Sequence, residues 1–212
     1  MNRMKNILVV GAHYDDVELG AGGIMARLVK EGKDVYKITL TDNETHFREK
    51  NIYVDKESSI VMSKNACEVL GVQELEFRQE KCNYLKYETA VMQRVEHIIY
   101  EYEIDTLFCH YQYDVNKDHV AASEICLTAG RHCTNVFTFQ SNAYILEHSY
   151  YPTVFFDISN EIELKKKAVF QYEGDHNRYG RLFDTVLERN HIWGFYNNVE
   201  YAEGFHVVKM RI

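Results

Sequence analysis

The apolar run NILVVGA, Asn6 to Ala12, is continuous and does not alternate. A strand of that kind must be covered on both faces, which predicts a central strand of a parallel sheet. From Leu19 to Glu31 the period changes. Ile24, Met25, Leu28 and Val29 recur at helical spacing, and Gly32 follows as a helix stop. DVYKITLT, Asp34 to Thr41, alternates as a second strand. The first stretch thus reads strand–helix–strand, the unit of a doubly wound sheet.

The same reading continues along the chain. Residues 42–55 are polar and read as a loop. SSIVMSKNACEVLG predicts a helix ending at Gly71, ELEFR a short strand, and Thr89 to Tyr102 another helix. Asp105 to Tyr111 is a second buried strand, YDVNKDH a polar turn, and Val120 to Ala129 a helix. NVFTFQ and TVFFDIS read as strands, with Ser159 or Asn160 capping a helix from Glu161 to Tyr172. Leu182 to His191 predicts one more helix, and VEYAEGFHVVKMRI a final strand or hairpin. The expected fold is α/β, a three-layer sandwich on a mostly parallel sheet with a less regular C-terminal part. No repeat or linker divides the chain, so residues 1–212 are read as a single domain.

Composition narrows the function classes. Hydrophobic residues make up 46% and charged residues 26%, which is ordinary for a globular protein. A net charge of −8 argues against general nucleic-acid binding, which needs a basic face. No apolar run reaches the roughly 18 residues that span a bilayer. The N-terminal MNRMKNILVVGAHYDD has a short apolar run and no small-residue cleavage site, so it reads as the first strand of a cytoplasmic protein. The 5 cysteines form no C-x-x-C, which suggests reduced thiols and neither a disulfide framework nor a thiolate zinc site.

Two polar clusters follow two buried strands: His13-Tyr14-Asp15-Asp16 and Asn116-Lys117-Asp118-His119. Ligands of open α/β sheets bind at the carboxyl ends of strands, where strand order switches. If these strands flank the switch, the clusters face each other. His13, Asp16 and His119 then form a His₂-carboxylate set with an open position, the pattern of catalytic zinc. Water on such an ion has its pKa lowered towards about 7. Asp15 fits beside it as a base, and Asp118 as an acceptor that orients a histidine. Plainer readings stand beside these. Asp15, Asp16 or Asp118 can each serve only as a helix cap. Gly20 to Gly23 lack the G-x-G-x-x-G spacing and sit beside three carboxylates, which disfavours a phosphate cradle. They fit close helix–sheet packing better.

AHYDDVELGAGG resembles the A-H-P-D-D-E-x-L-G-x-G-G signature of the PIG-L/LmbE-like zinc-dependent de-N-acetylases, and DVNKDH resembles that family's D-x-[HN]-x-D-H element. VYKITLTDNE, ACEVLGV, FFDIS and YAEGF follow the family pattern in order, so the resemblance covers nearly the whole chain. It implies a Rossmann-like sheet, His13, Asp16 and His119 as ligands of Zn2+ (with Fe2+ as an alternative), and Asp15 as general base. It also implies removal of an acetyl group from an N-acetylglucosamine-type sugar or its conjugate, such as a nucleotide-linked sugar. The rival readings are a metal-dependent amidase or esterase on a non-sugar substrate, and an inactive sugar-binding homologue.

The chain departs from the pattern at Tyr14, Val17 and Asn116. Asn116 stands where many members have histidine. An asparagine donates a hydrogen bond to an oxyanion but carries no proton at neutral pH. The leaving amine then needs its proton from Asp15, His110 or Asp114. Asn43, Glu44, Arg48 and Arg131 are the candidate substrate contacts. Arg131 also fits a plain interaction with the carboxyl end of its helix. EGDHNRYGRLF gathers Asp175, His176, Arg178 and Arg181 as a lid, a subunit contact or a charged turn. The expected partner is a small N-acetylated sugar, with no nucleic acid and no membrane segment; a homo-oligomer stays open.

Overall fold

The computed structural model describes residues 4–48, 52–142, 144, 148–175 and 180–211. Strand β1 (Asn6–Gly11) lies between β2 (Asp34–Thr39) and β6 (Thr106–His110), both parallel to it. Beyond β2 comes the short β5 (Gln73–Glu74), and beyond β6 comes β7 (Asn135–Phe139), again parallel. The sheet then reverses through β9 (Ala202–Lys209) and ends at β8 (Val154–Asp157). The order is β5-β2-β1-β6-β7-β9-β8. Strand order therefore switches between β1 and β6, and the two charged turns do emerge side by side. The less regular C-terminal part expected from the sequence is this antiparallel edge.

The continuous apolar run of β1 has its predicted cause. Ile7 and Val9 enter one core, with α1 (Asp16–Lys30), α2 (Lys56–Leu70) and α5 (Ile162–Val169). Leu8 and Val10 enter the other, with α3 (Thr89–Glu101) and α4 (Lys117–Ala129). Helix α6 (Gly180–Tyr196) packs on β9. Two of the three glycines in α1 sit where a side chain has no room. A Cβ on Gly20 would come within 2.2 Å of the Phe139 ring, and one on Gly23 within 2.6 Å of Ile158.

Several local expectations need correction. Residues 42–55 are not only a loop: β3 (Thr45–Phe47) and β4 (Ile52–Val54) pair as an antiparallel hairpin. ELEFR contributes Glu74 alone to a strand, because β5 is an edge of two residues. Neither Ser159 nor Asn160 caps α5. Glu161 holds the cap position, while the Ser159 hydroxyl donates to Asp157 and accepts the Tyr201 N–H, closing the β8–α5 turn. His176 and Arg178 lie outside the described residues, as do the side chains of Asp175 and Arg181.

Two buried ion pairs pin α1. Glu203 of β9 accepts the N–H groups of Gly23 and Ile24, at 2.9 and 2.7 Å, in the middle of the helix. Lys165 of α5 takes the Leu19 carbonyl at 2.8 Å, the acceptor an unbroken helix would offer Gly23, and bonds Glu203 at 2.6 Å. One turn earlier, Lys37 donates to Glu18 at 2.7 Å and to the Tyr14 carbonyl at 2.8 Å. The first pair needs both partners, since a lone buried charge would be strongly destabilising. The second anchors the backbone immediately before Asp15.

Candidate metal centre

The β1–α1 turn and the start of α4 bring three donor groups together. His13 Nδ1 lies 3.2 Å from His119 Nε2 and 3.3 Å from Asp16 Oδ2, and His119 Nε2 lies 3.2 Å from Asp16 Oδ1. Ligands bound tetrahedrally at about 2.0–2.1 Å sit roughly 3.3 Å apart. The donors thus fit a small divalent ion without rearrangement.

Each ring is aimed by a carboxylate on its other nitrogen. Asp118 Oδ2 lies 3.2 Å from His13 Nε2, and Asp114 Oδ2 lies 3.0 Å from His119 Nδ1. Asp118 thus faces His13, across the cleft, and not its chain neighbour His119. Asp118 also accepts the backbone N–H groups of Asn83 and Leu85, which fixes the 80–85 segment beside the site. Asp16 is held by the His13 N–H at 2.7 Å and the Ser141 hydroxyl at 2.8 Å.

His110 lies beneath. Its Nε2 is 3.0 Å from the Ala12 N–H and 3.1 Å from Asp16 Oδ2, and its ring stacks on His119 with centroids 4.1 Å apart.

Electrostatics follow from this packing. Burial disfavours charge on His119, but Asp16 and Asp114 outweigh it and push its pKa up to about 9. His13 is likewise raised well above the usual range, burial being overcome by Asp118 and Asp16. Burial also works against ionised Asp16, yet His119 and His110 hold it well below the usual carboxylate range. His110 is lowered by burial and by its charged neighbour His119. Both shifts favour a proton on His13 and on His119 when no metal is bound.

Asp15 occupies the N-cap position of α1, half-buried, but makes no side-chain cap hydrogen bond. Its carboxylate is not spent on capping. Asn116 does cap: its Oδ1 accepts the Asp118 N–H at 2.9 Å, leaving the Nδ2 end as donor. Tyr14 turns away from the metal donors. Its hydroxyl accepts from Gln79, and its ring lines a cleft of about 960 Å³ with Ile60, Phe77 and Gln79, which none of the metal donors lines. Val17 is core.

The substrate candidates separate. Asn43 donates to Ser59 at 3.0 Å, at the base of the hairpin. Glu44 and Arg48 belong to that hairpin, with Arg48 exposed. Arg131 is a correction: it pairs with Glu96 at 2.6 Å and caps the Thr128 carbonyl. It follows the far end of α4, and a 13-residue helix is about 20 Å long. Sequence reasoning missed Ser141, Asn142 and Arg189. Arg189 of α6 donates to the carbonyls of Gln140 and Asn142 and so shapes the turn after β7. Strand β7 ends at the same sheet edge, which was the available signal for Ser141 and Asn142.

The sequence model of the PIG-L family, GlcNAc-PI de-N-acetylase, matches residues 8–130, more than half of the chain. The chain belongs to the PIG-L family. The family match spans both charged turns and the metal donors His13, Asp16 and His119. A curated relative, the uncharacterized deacetylase YaiS of Escherichia coli K12, is 25% identical over 178 residues, covering 80% of this chain and 91% of its own. Among solved structures, the N,N'-diacetylchitobiose deacetylase of Pyrococcus horikoshii superposes with a TM-score of 0.83 at 16% identity, covering 98% of this chain and 85% of that one. GalB, the 4-carboxy-2-hydroxymuconate hydratase of Pseudomonas putida, superposes with a TM-score of 0.82 at 20% identity, covering 99% and 98%. A deacetylase and a hydratase thus share the fold, so the fold alone does not select the reaction.

Proposed function

We propose that this PIG-L chain is a metal-dependent de-N-acetylase acting on an N-acetylglucosamine-type sugar or its conjugate. The observation that carries the proposal is the tetrahedral spacing of His13, Asp16 and His119, with the Asp15 carboxylate in the same turn. The family match and the chitobiose deacetylase neighbour support the acyl group and the sugar class.

Zn2+ or Fe2+ suits an imidazole–carboxylate set, and such an ion supplies Lewis acidity, bringing the pKa of water towards about 7 and polarising a carbonyl. The chain's own residues do the rest. Asp15 takes the proton of the attacking water. The water oxygen adds to the amide carbon, and Asn116 Nδ2 donates to the developing oxyanion. The C–N bond breaks, the amine nitrogen takes the proton back from Asp15, and acetate leaves. Asp15 is favoured for this return because Asp114 is committed to His119 and His110 lies buried behind Asp16. In this reading Asn43, Glu44 and Arg48 face the sugar, from a hairpin tied to the 80–85 segment by the Asn83 side chain donating to the Thr45 hydroxyl. No described helix is long and apolar enough to cross a membrane.

The test is acetate release from N-acetylglucosamine, N,N'-diacetylchitobiose and nucleotide-linked N-acetylglucosamine. Chelator should abolish release, and Zn2+ or Fe2+ should restore it. Release that persists in chelator sinks the metal-dependent mechanism. No release from any N-acetyl sugar, with water addition to an unsaturated acid instead, establishes the second reading that GalB brings.

A further inference from the structure

We propose that His13, Cys82 and Asp118 form a second cation site, inhibitory and selective for thiophilic ions, on the face of His13 opposite the first. The proposal rests on the reading of His13 as a ligand through Nδ1. One donor atom each from His13, Cys82 and Asp118 lies within 4.8 Å of the other two. His13 Nε2 and Asp118 Oδ2 are 3.2 Å apart, again the separation of two ligands on a small tetrahedral ion.

The site is built, not incidental. Cys82 is buried, and its N–H is held by Asp42 at 2.9 Å. The next residue, Asn83, takes the left-handed conformation (φ 68°), and its N–H and that of Leu85 are fixed on Asp118. The backbone that carries the thiol is thereby fixed, and Sγ lies within 4.8 Å of the His13 and Asp118 donor atoms. Among the described residues, no other cysteine joins such a group. A thiolate, an imidazole and a carboxylate favour zinc or cadmium over magnesium or calcium.

Occupancy has a defined cost to the first site. Nε2 normally keeps its proton pointed at Asp118, which sets the ring's orientation. An ion at the second site must take that lone pair and the thiolate, so two protons pass to solvent, one from Nε2 and one from Cys82. His13 then bridges two cations as imidazolate, and Asp118 no longer aims it. The second ion therefore weakens the geometry that the first requires.

The probe is Cd2+ added to metal-stripped full-length protein, followed by stoichiometry and by the ultraviolet sulfur-to-cadmium charge-transfer band. Wild type should bind two ions and show the band, and acetate release should be inhibited once the first equivalent is exceeded. Cys82→Ser should bind one ion without the band, stay active with that ion, and tolerate about tenfold more Cd2+ or Zn2+. His119→Ala should lose one ion and keep the band. One ion per wild-type chain without a band, or inhibition unchanged in Cys82→Ser, overturns the proposal. A band with one ion in both wild type and His119→Ala keeps the Cys82 site but removes the first donor set.

Discussion

Asp118 is the chain neighbour of His119, yet its carboxylate reaches across the cleft to His13, Oδ2 to Nε2 at 3.2 Å, while Asp114 serves His119. The two ligand histidines are thus oriented from one short stretch, the end of the β6–α4 connection and the first turn of α4. Losing either carboxylate frees a ring without removing a ligand. Asp118→Asn and Asp114→Asn should each weaken metal binding by about 10–100-fold. Competition with a chromogenic chelator measures this, and wild-type affinity in both variants would refute the assignment.

Asp15→Asn should leave metal content unchanged and lower turnover by about 10²–10⁴-fold, the usual contribution of a general base. Asn116→Ser tests the other proposed group. Serine keeps the helix cap, so the melting temperature should hold, but it is too short to replace Nδ2. A loss of turnover at constant stability supports the donor role; unchanged turnover leaves Asn116 as a cap alone.

The Glu203–Lys165 pair makes a prediction about α1. Glu203→Leu strands a buried ammonium and should cost about 3–5 kcal/mol. Adding Lys165→Met should recover much of that, because Gly23 N–H is then free to bond the Leu19 carbonyl and close the helix. Denaturant melts of the two singles and the double test this. Additive losses would show that the pair is not coupled.

Gly23→Ala pits a better helix former against Ile158, 2.6 Å from the new Cβ. Propensity offers at most about 1 kcal/mol, while overpacking costs about 1–3 kcal/mol, so the variant should be less stable. Gly20→Ala meets the Phe139 ring, which in turn packs on His110 with centroids 4.9 Å apart. It should lower turnover as well as the melting temperature.

The pH dependence has opposite signs with and without metal. The His119 pKa of about 9 lies above the roughly 6.5 of an unfolded histidine. In chelated protein its contribution to stability is complete below about pH 6.5 and lost as pH rises through about 9. A metal needs the neutral ring, so its binding strengthens over the same window. The gain in melting temperature on adding Zn2+ should therefore grow across that window. A constant gain would show that His119 is not protonated in the metal-free protein.

Much of the fold was legible because parallel strands and amphipathic helices write themselves locally. The unbroken run of β1 and the 3.6-residue period of α1, α2 and α3 needed no tertiary information. The 42–55 hairpin escaped because its strands of three residues are too short to show alternation. Arg131 misled because a basic residue near a candidate ligand in sequence sits a full helix away in space. Ser141 had only the shared sheet edge as a signal, and Arg189 had none, since it acts from a distant helix on the turn after β7.

The sequence by itself determined the layers and the chemical inventory of the site: two histidines and two adjacent aspartates at the ends of buried strands. Periodicity and residue type are local properties, and they carry that far. The tertiary structure decided which carboxylate aims which histidine, that Tyr14 faces away from the metal donors, and that Cys82 stands behind His13. It also decided that Glu203 enters the first helix from a strand at the other end of the chain. Those relations depend on strand order and on the placing of turns across the sheet, and no periodicity along the chain encodes them.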